Sequence, residues 1–402
     1  MRPFLGKIVK ILRSPLLSFF YNLRYRKSTF GLLILDDFFP NPVSGFRFTE
    51  FNHYFIEFKT ALLTTGNALL LVNEKRKIGQ FITTYHAAFP KRAVSIFDKR
   101  KKPFATVCYV VFLNNAYGFL PYIEANHLDF VFCLYPGGGF NLDTPETNAK
   151  LKTVCQSPYF KGVIVTQKNS YDYLLANDFC KARDICFIFG GILPINQYPM
   201  TENRAYFGSN KPTLDICFMA NKYMTNGLDK GFDVFVGVAK CFESEADVRF
   251  HVIGTFSKTD LNGEIADNIV FHGAQQTQAL NVFFDKMDII LSPNRASTLH
   301  KGAFDGFPTG SCVEAAFKGV ALFVTDPLKL NTTYQNGENI EIIEANVAEI
   351  VSKIKKYHAH PDALRALALK GQRLSRHLFS NDIQLNQRVA FLKEKLGPLS
   401  IN

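Results

Sequence analysis

Phe304-Asp-Gly-Phe-Pro-Thr-Gly-Ser-Cys-Val-Glu-Ala-Ala-Phe-Lys-Gly-Val-Ala-Leu-Phe-Val-Thr-Asp326 runs, by residue type, as a loop, a helix and a buried strand. Pro308 and Gly310 punctuate the loop, and Ser311 is placed to cap the helix. The N–H groups at such a helix start carry the positive end of its dipole, so Thr309, Gly310 and Ser311 are expected to hold phosphate. Glu314 is expected in the first turn, within reach of a sugar's hydroxyls. Asp305 stands just before the turn, so two carboxylates bracket one anion-binding helix start.

Working outward, short apolar runs alternate with helical patterns along all 402 residues. One series of strands is expected at Gly31–Leu35, Ala68–Val72, Val107–Leu113, Phe130–Leu134, Gly162–Thr166 and Ile185–Phe189. A second is expected at Leu214–Met219, Val248–Ile253, Asn268–Phe271, Asp288–Leu291 and Val320–Val324. Helical stretches such as Thr49–Leu63, Gly231–Phe242, Ser311–Lys318 and Ala345–Tyr357 lie between them. Buried strands separated by helices predict parallel sheets covered on both faces. A polar, Pro-rich stretch from Pro194 to Pro212 divides the series. The expected architecture is α/β, with two Rossmann-like doubly wound domains over 28–198 and 212–375 facing across a cleft. Ligands are then expected at the carboxyl ends of the strands. A closing helix over 376–402 is free to fold back on the first domain.

Charge is concentrated at one end. Residues 1–27 hold seven Lys or Arg and no Asp or Glu, so most of the net +11 sits there. The body is therefore not a nucleic-acid binder with cations spread along a face. In the leader, Leu5, Ile8, Val9 and Leu12 share one helical face, and charges interrupt every apolar run well short of the ~18 residues of a membrane span. Two readings stand: a basic amphipathic helix on an anionic membrane surface, or a helix packed on the protein's own body. The eight Cys lack any Cys-x-x-Cys spacing and sit mostly in apolar runs, which fits single thiols in a reducing, cytoplasmic setting.

Asp305-Gly306-Phe307-Pro308 and Glu314-Ala315 resemble the motif of retaining glycosyltransferases of family 4 and GT-B fold. The first acid there is usually Glu, and the acids here stand one position further apart than usual. Lys230-Gly231 after the Leu214–Met219 strand resembles that family's Lys-Gly turn. The family's diphosphate Arg, five residues before the Lys, is Thr225 here, and Lys222 is the nearest replacement. The resemblance implies that Lys230 and Lys222 hold a donor diphosphate, that Asp305 orients the transferred sugar, and that Glu314 holds the ribose. It also implies that Gly254 and His272, at the ends of two strands, border the base. In the first domain Ser44-Gly45 resembles the glycine loop facing the diphosphate. Gly137-Gly138-Gly139 falls where the family often carries a His-Gly turn, and glycines there let a backbone approach a sugar closely.

The resemblance further implies a nucleotide-sugar donor, no metal or other cofactor, and a glycan or lipid-linked acceptor, as in surface polysaccharide or lipopolysaccharide synthesis. Other readings remain open: a non-catalytic GT-B protein binding sugar or nucleotide at a membrane, and a sugar-nucleotide epimerase. His86, His272 and His300 show no His-x-x-x-His spacing for a metal. No Gly-x-Ser-x-Gly elbow, Walker A loop or strand-coupled Gly-x-Gly-x-x-Gly is present, which argues against a serine hydrolase, an ATPase and a dehydrogenase.

Overall fold

The computed structural model describes residues 31–39, 44–65, 94–100, 103 and 105–397. The basic leader, the strand expected at Ala68–Val72 and His86 lie outside the described residues.

The first sheet comprises β1 (Leu32–Asp36), β2 (Thr60–Thr64), β3 (Val94–Ile96), β4 (Val107–Val111), β5 (Asp129–Leu134), β6 (Phe160–Val165) and β7 (Ile185–Phe187). Its strands are all parallel, in the order β3-β2-β1-β4-β5-β6-β7. Helices α1 (Gly45–Glu57), α2 (Leu113–Ala125), α3 (Pro145–Cys155) and α4 (Lys168–Ala176) connect them. The second sheet comprises β8 (Leu214–Ala220), β9 (Val248–Gly254), β10 (Ile269–Phe271), β11 (Ile289–Ser292), β12 (Ala321–Thr325) and β13 (Glu341–Ile343). It is parallel in the order β10-β9-β8-β11-β12-β13, with α5 (Phe232–Lys240), α6 (Thr277–Phe284) and α7 (Gly310–Phe317) as crossovers. Helices α8 (Val347–Ala359), α9 (Pro361–Leu378) and α10 (Gln387–Leu396) close the chain.

Both sheets reverse their winding once, between β1 and β4 and between β8 and β11. Those two switch points are where a doubly wound sheet leaves a crevice for ligands. The strands beside them are buried, as sheets covered on both faces require: β4 buries Val107–Val111 and β8 buries Leu214–Phe218 without a break, apolar but for Asp215. One continuous core then runs from the first sheet to the second through Tyr198, Phe304, Phe307 and Phe379.

Two expectations are corrected. The helix foreseen over Thr49–Leu63 starts at Gly45 and ends at Glu57, and Thr60–Thr64 is strand β2. Thr-Ala-Leu-Leu-Thr is too short a run for period alone to separate helix from strand; pairing with β1 in parallel register decides it. Strands β3 and β13, three residues each, carried no pattern long enough to read.

Candidate active site in the cleft

The loop after β8 carries Lys230 to the second switch point. It turns through Asn226 and Gly227, both at positive φ, and ends at Gly231 with φ 70°. A Cβ on Gly231 would lie 2.1 Å from the Pro293 carbonyl, so the glycine lets this loop press against the end of β11. Lys230 consequently reaches the β11–α7 loop, and its Nζ donates to both carboxylate oxygens of Asp305 at 2.7 Å. Asn294 Nδ2 donates to Asp305 Oδ2 at 2.7 Å. Asp229 lies behind, with Oδ2 3.6 Å from Lys230 Nζ, and its carboxylate is buried without a hydrogen-bond partner. The expected pair Lys230 and Asp305 is thus brought together. Asn294 and Asp229 escaped sequence reading: Asn294 matters through a contact 11 positions away, and Asp229, next to Lys230, carries no motif of its own.

Arg295 braces this loop: its backbone N–H donates to Asp229 O at 2.9 Å, and its guanidinium grips both Asp233 oxygens at 3.0 and 2.9 Å. Ser292, Asn294, Arg295, Asp305, Pro308 and Thr309 line one recess that opens to solvent.

Helix α7 starts at that recess. Its cap residue is Thr309, not Ser311, and no side chain caps the first turn. Thr309 Oγ1 instead lies 3.1 Å from Ser311 Oγ, which leaves the first-turn N–H groups of Gly310 and Ser311 for an incoming anion. Glu314 lies in the second turn rather than the first, since the helix begins at Gly310. The Tyr198 hydroxyl donates to its carboxylate, and burial, only partly opposed by that bond, pushes its pKa up to about 7.

The remaining donor-side residues fall less neatly. Lys222 Nζ is engaged by Asp260 Oδ1 at 2.8 Å, tying the β8 loop to the segment after β9. Gly254 has φ 129°, and a Cβ there would lie 2.0 Å from the Ala220 carbonyl, so close approach of β8 and β9 already demands a glycine. His272 follows β10; its Nε2 lies 3.1 Å from His251 Nδ1, and His251 Nε2 lies 2.9 Å from Asp215 Oδ1. Burial, then the neighbouring His251, lowers the His272 pKa. Burial works to raise the Asp215 carboxyl, but bonds from His251, Lys211 and Thr213 outweigh it and hold the group near about 2.

Across the cleft, Ser44 stands at the N-cap position of α1 without a side-chain cap, and its Oγ accepts from Arg47 Nη1 at 3.0 Å. Gly45 packs on Pro194, and Gly310 packs on the adjacent Leu193, so the starts of α1 and α7 converge on one segment. The triple glycine divides. A Cβ on Gly138 would lie 2.3 Å from the Phe112 ring, and one on Gly139 would lie 2.0 Å from Asn114 Oδ1, whereas Gly137 faces open space. Next to this turn, Leu142 N–H donates to Gly302 O at 2.9 Å and Phe140 meets Phe304 edge-on, joining the two domains. Sequence reading missed the cluster at the end of β1. Asp36 accepts from Arg47 Nε at 2.9 Å, Asp37 from Arg47 Nη2 at 3.2 Å and from Asn115 Nδ2 at 2.8 Å. Its one legible signal was an Asp-Asp pair directly after an apolar strand. His300 lies in the β11–α7 loop.

With this geometry in hand, comparison is informative. Residues 238–393, less than half of the chain, match the family described as "Glycosyl transferase-like". That segment holds Asp305 and Glu314 but not Lys230. No curated relative matches the chain by sequence. Solved structures resemble it over nearly their whole length at low identity. HepE from Anabaena in complex with UDP has a TM-score of 0.65 and 14% identity, covering 89% of this chain and 98% of its own. Sucrose-phosphate synthase from Thermosynechococcus elongatus has a TM-score of 0.63 and 12% identity, covering 90% and 98%. An Escherichia coli trehalose-6-phosphate structure bound to UDP-2-fluoro glucose has a TM-score of 0.56 and 10% identity, covering 92% and 99%. The fold is therefore GT-B. Within that fold, residues 238–393 are glycosyl transferase-like.

Proposed function

We propose that the chain is a retaining glycosyltransferase that takes its sugar from a nucleotide-sugar donor without a metal ion. The observation that carries this reading is the Lys230–Asp305 pair, 2.7 Å apart, at the uncapped start of α7. A donor diphosphate entering there replaces the Asp305 carboxylate on Lys230 and takes up the N–H groups of Gly310 and Ser311. Charge developing on the leaving phosphate then meets donors already in place, which is the largest electrostatic contribution an active site of this kind offers. Asp305, released from Lys230, is free to accept a hydroxyl of the transferred sugar, with Asn294 fixing its other oxygen. Glu314 accepts from the ribose.

In this reading the acceptor hydroxyl attacks the anomeric carbon from the face the diphosphate leaves. The new C–O bond forms as the old one breaks, and the acceptor proton passes to the departing phosphate oxygen. The acceptor enters from the first domain, past Ser44, Gly45 and Gly137. A glycan or lipid-linked acceptor at a membrane surface rests on the basic residues 1–27 alone, and among the described residues no helix is long and apolar enough to cross a membrane. GT-B neighbours bound to UDP and to UDP-glucose support uridine donors as the first to try. Purified protein screened against UDP-, ADP-, GDP- and CMP-sugars for thermal stabilisation and nucleotide release is expected to single out one donor. Binding without release, even with acceptors supplied, would turn the reading to a non-catalytic sugar or nucleotide binder.

A further inference from the structure

Tyr223 is a large ring left in water at the mouth of the site. It is 63% exposed, although most aromatic side chains among the described residues are buried or half-buried. Its place is specific: the Lys230 ammonium lies 5.2 Å from its ring centroid. The residue before it is held in place: the N–H of Lys222 donates to Thr255 Oγ1 at 3.4 Å, and Lys222 Nζ donates to Asp260 Oδ1 at 2.8 Å. The ring thus stands in the loop that follows β8, beside the ammonium at the second switch point. An aromatic beside a cation, with most of its surface solvent-exposed, leaves room for a flat, electron-poor ring to stack on it.

We infer that Tyr223 is the stacking platform for the nucleobase of the donor, with Lys230 taking the adjacent diphosphate. The inference rests on the nucleotide-sugar reading above and adds a residue to it. The two groups sit side by side as a nucleoside diphosphate presents them: a π-face, then two phosphates. Stacking accepts any base, so the ring supplies affinity while discrimination between bases lies elsewhere. Lys230 beneath the ring strengthens the platform when the diphosphate is absent, because the ammonium is drawn to the ring's negative face.

Calorimetric titration of the full chain with UDP, GDP, ADP and inorganic pyrophosphate tests this. Tyr223→Ala is expected to weaken the preferred nucleotide about tenfold, within the range of losing one base–aromatic stack. Tyr223→Phe and Tyr223→Trp are expected to bind within about twofold of the parent. Pyrophosphate, which has no base, is expected to bind Tyr223→Ala unchanged and to lose affinity in Lys230→Ala. Equal loss of nucleotide and pyrophosphate in Tyr223→Ala would overturn the inference, since the ring would then only buttress Lys230. Undiminished nucleotide affinity in Tyr223→Ala would overturn it as well. Failure of the parent protein to bind any of the four would count against the nucleotide-sugar reading itself.

Discussion

Lys230 is only 7% exposed, and a buried ammonium is tolerable because Asp305 and Asp229 face it. Removing one member of a buried pair leaves the other uncompensated, at about 3–5 kcal/mol. Asp305 is more than a third exposed, so the loss here is expected nearer ~2–3 kcal/mol. Lys230→Met should therefore lower the urea midpoint, and Asp229→Asn in the same chain should recover part of the loss by removing the orphaned carboxylate. Equal stability of the parent and Lys230→Met would contradict the pairing. Glu314 makes a second prediction at this scale. Its pKa in the folded protein, about 7, lies above the ordinary 4.5, so the folded state binds the extra proton. The stability it contributes is present at low pH and is lost as pH rises through the window between those values. Tm should fall across that window, and Glu314→Gln should flatten the fall. The candidacy of Lys230 and Asp305 was legible in the sequence because each sits in a short motif. The ion pair of Lys222 with Asp260 was not legible, because the partner lies 38 positions away in a loop that carries no pattern.

Elements show where residue type alone misleads. Three adjacent glycines read as one device, yet only the fold tells what each would meet. Gly138→Ala and Gly139→Ala would drive a Cβ to 2.3 and 2.0 Å from Phe112 and Asn114 at the start of α2, in addition to the cost of positive φ. Each is expected to cost roughly 2–4 kcal/mol, combining overpacking with a left-handed residue. Gly137→Ala meets open space and should cost about 1–2 kcal/mol, from its φ of 75° alone. Chemical denaturation of the three variants checks the order; Gly137→Ala as the most damaging would refute it. Long strands beside the switch points were readable because burial on both faces forces largely apolar runs, broken in β8 only by Asp215. The α7 cap was misplaced by two residues, Ser311 for Thr309, and that moved Glu314 from the first turn to the second.

At the scale of the whole molecule, the two sheets share a core and are bridged through Gly302, Leu142, Gln167 and Phe307. The closing helices tie them again. Helix α9 packs on α7 and β12 of the second domain, while α10 lies against β5 and β6 of the first. Within α10, Arg388 is fully buried 3.8 Å from the equally buried Glu50, and Arg388 Nη2 donates to Tyr135 OH at 3.3 Å. Burial raises the Glu50 pKa against the pull of Arg388. Arg388→Met is expected to destabilise by about 3–5 kcal/mol, and Glu50→Gln added to it to recover much of that loss, both read from urea unfolding. Neither residue was visible as a pair in the sequence, where they stand 338 positions apart, whereas the tandem doubly wound plan was visible from strand spacing alone. The central claim, that Lys230 and Asp305 form the reacting centre of a nucleotide-sugar transferase, is tested most directly by following free nucleotide released from the preferred donor by the parent protein and by Asp305→Asn. The account predicts measurable release by the parent and a fall of roughly 100-fold or more in Asp305→Asn with donor affinity largely kept, the size expected when one preorganised polar group is lost. Release at the parent's rate from Asp305→Asn would contradict it.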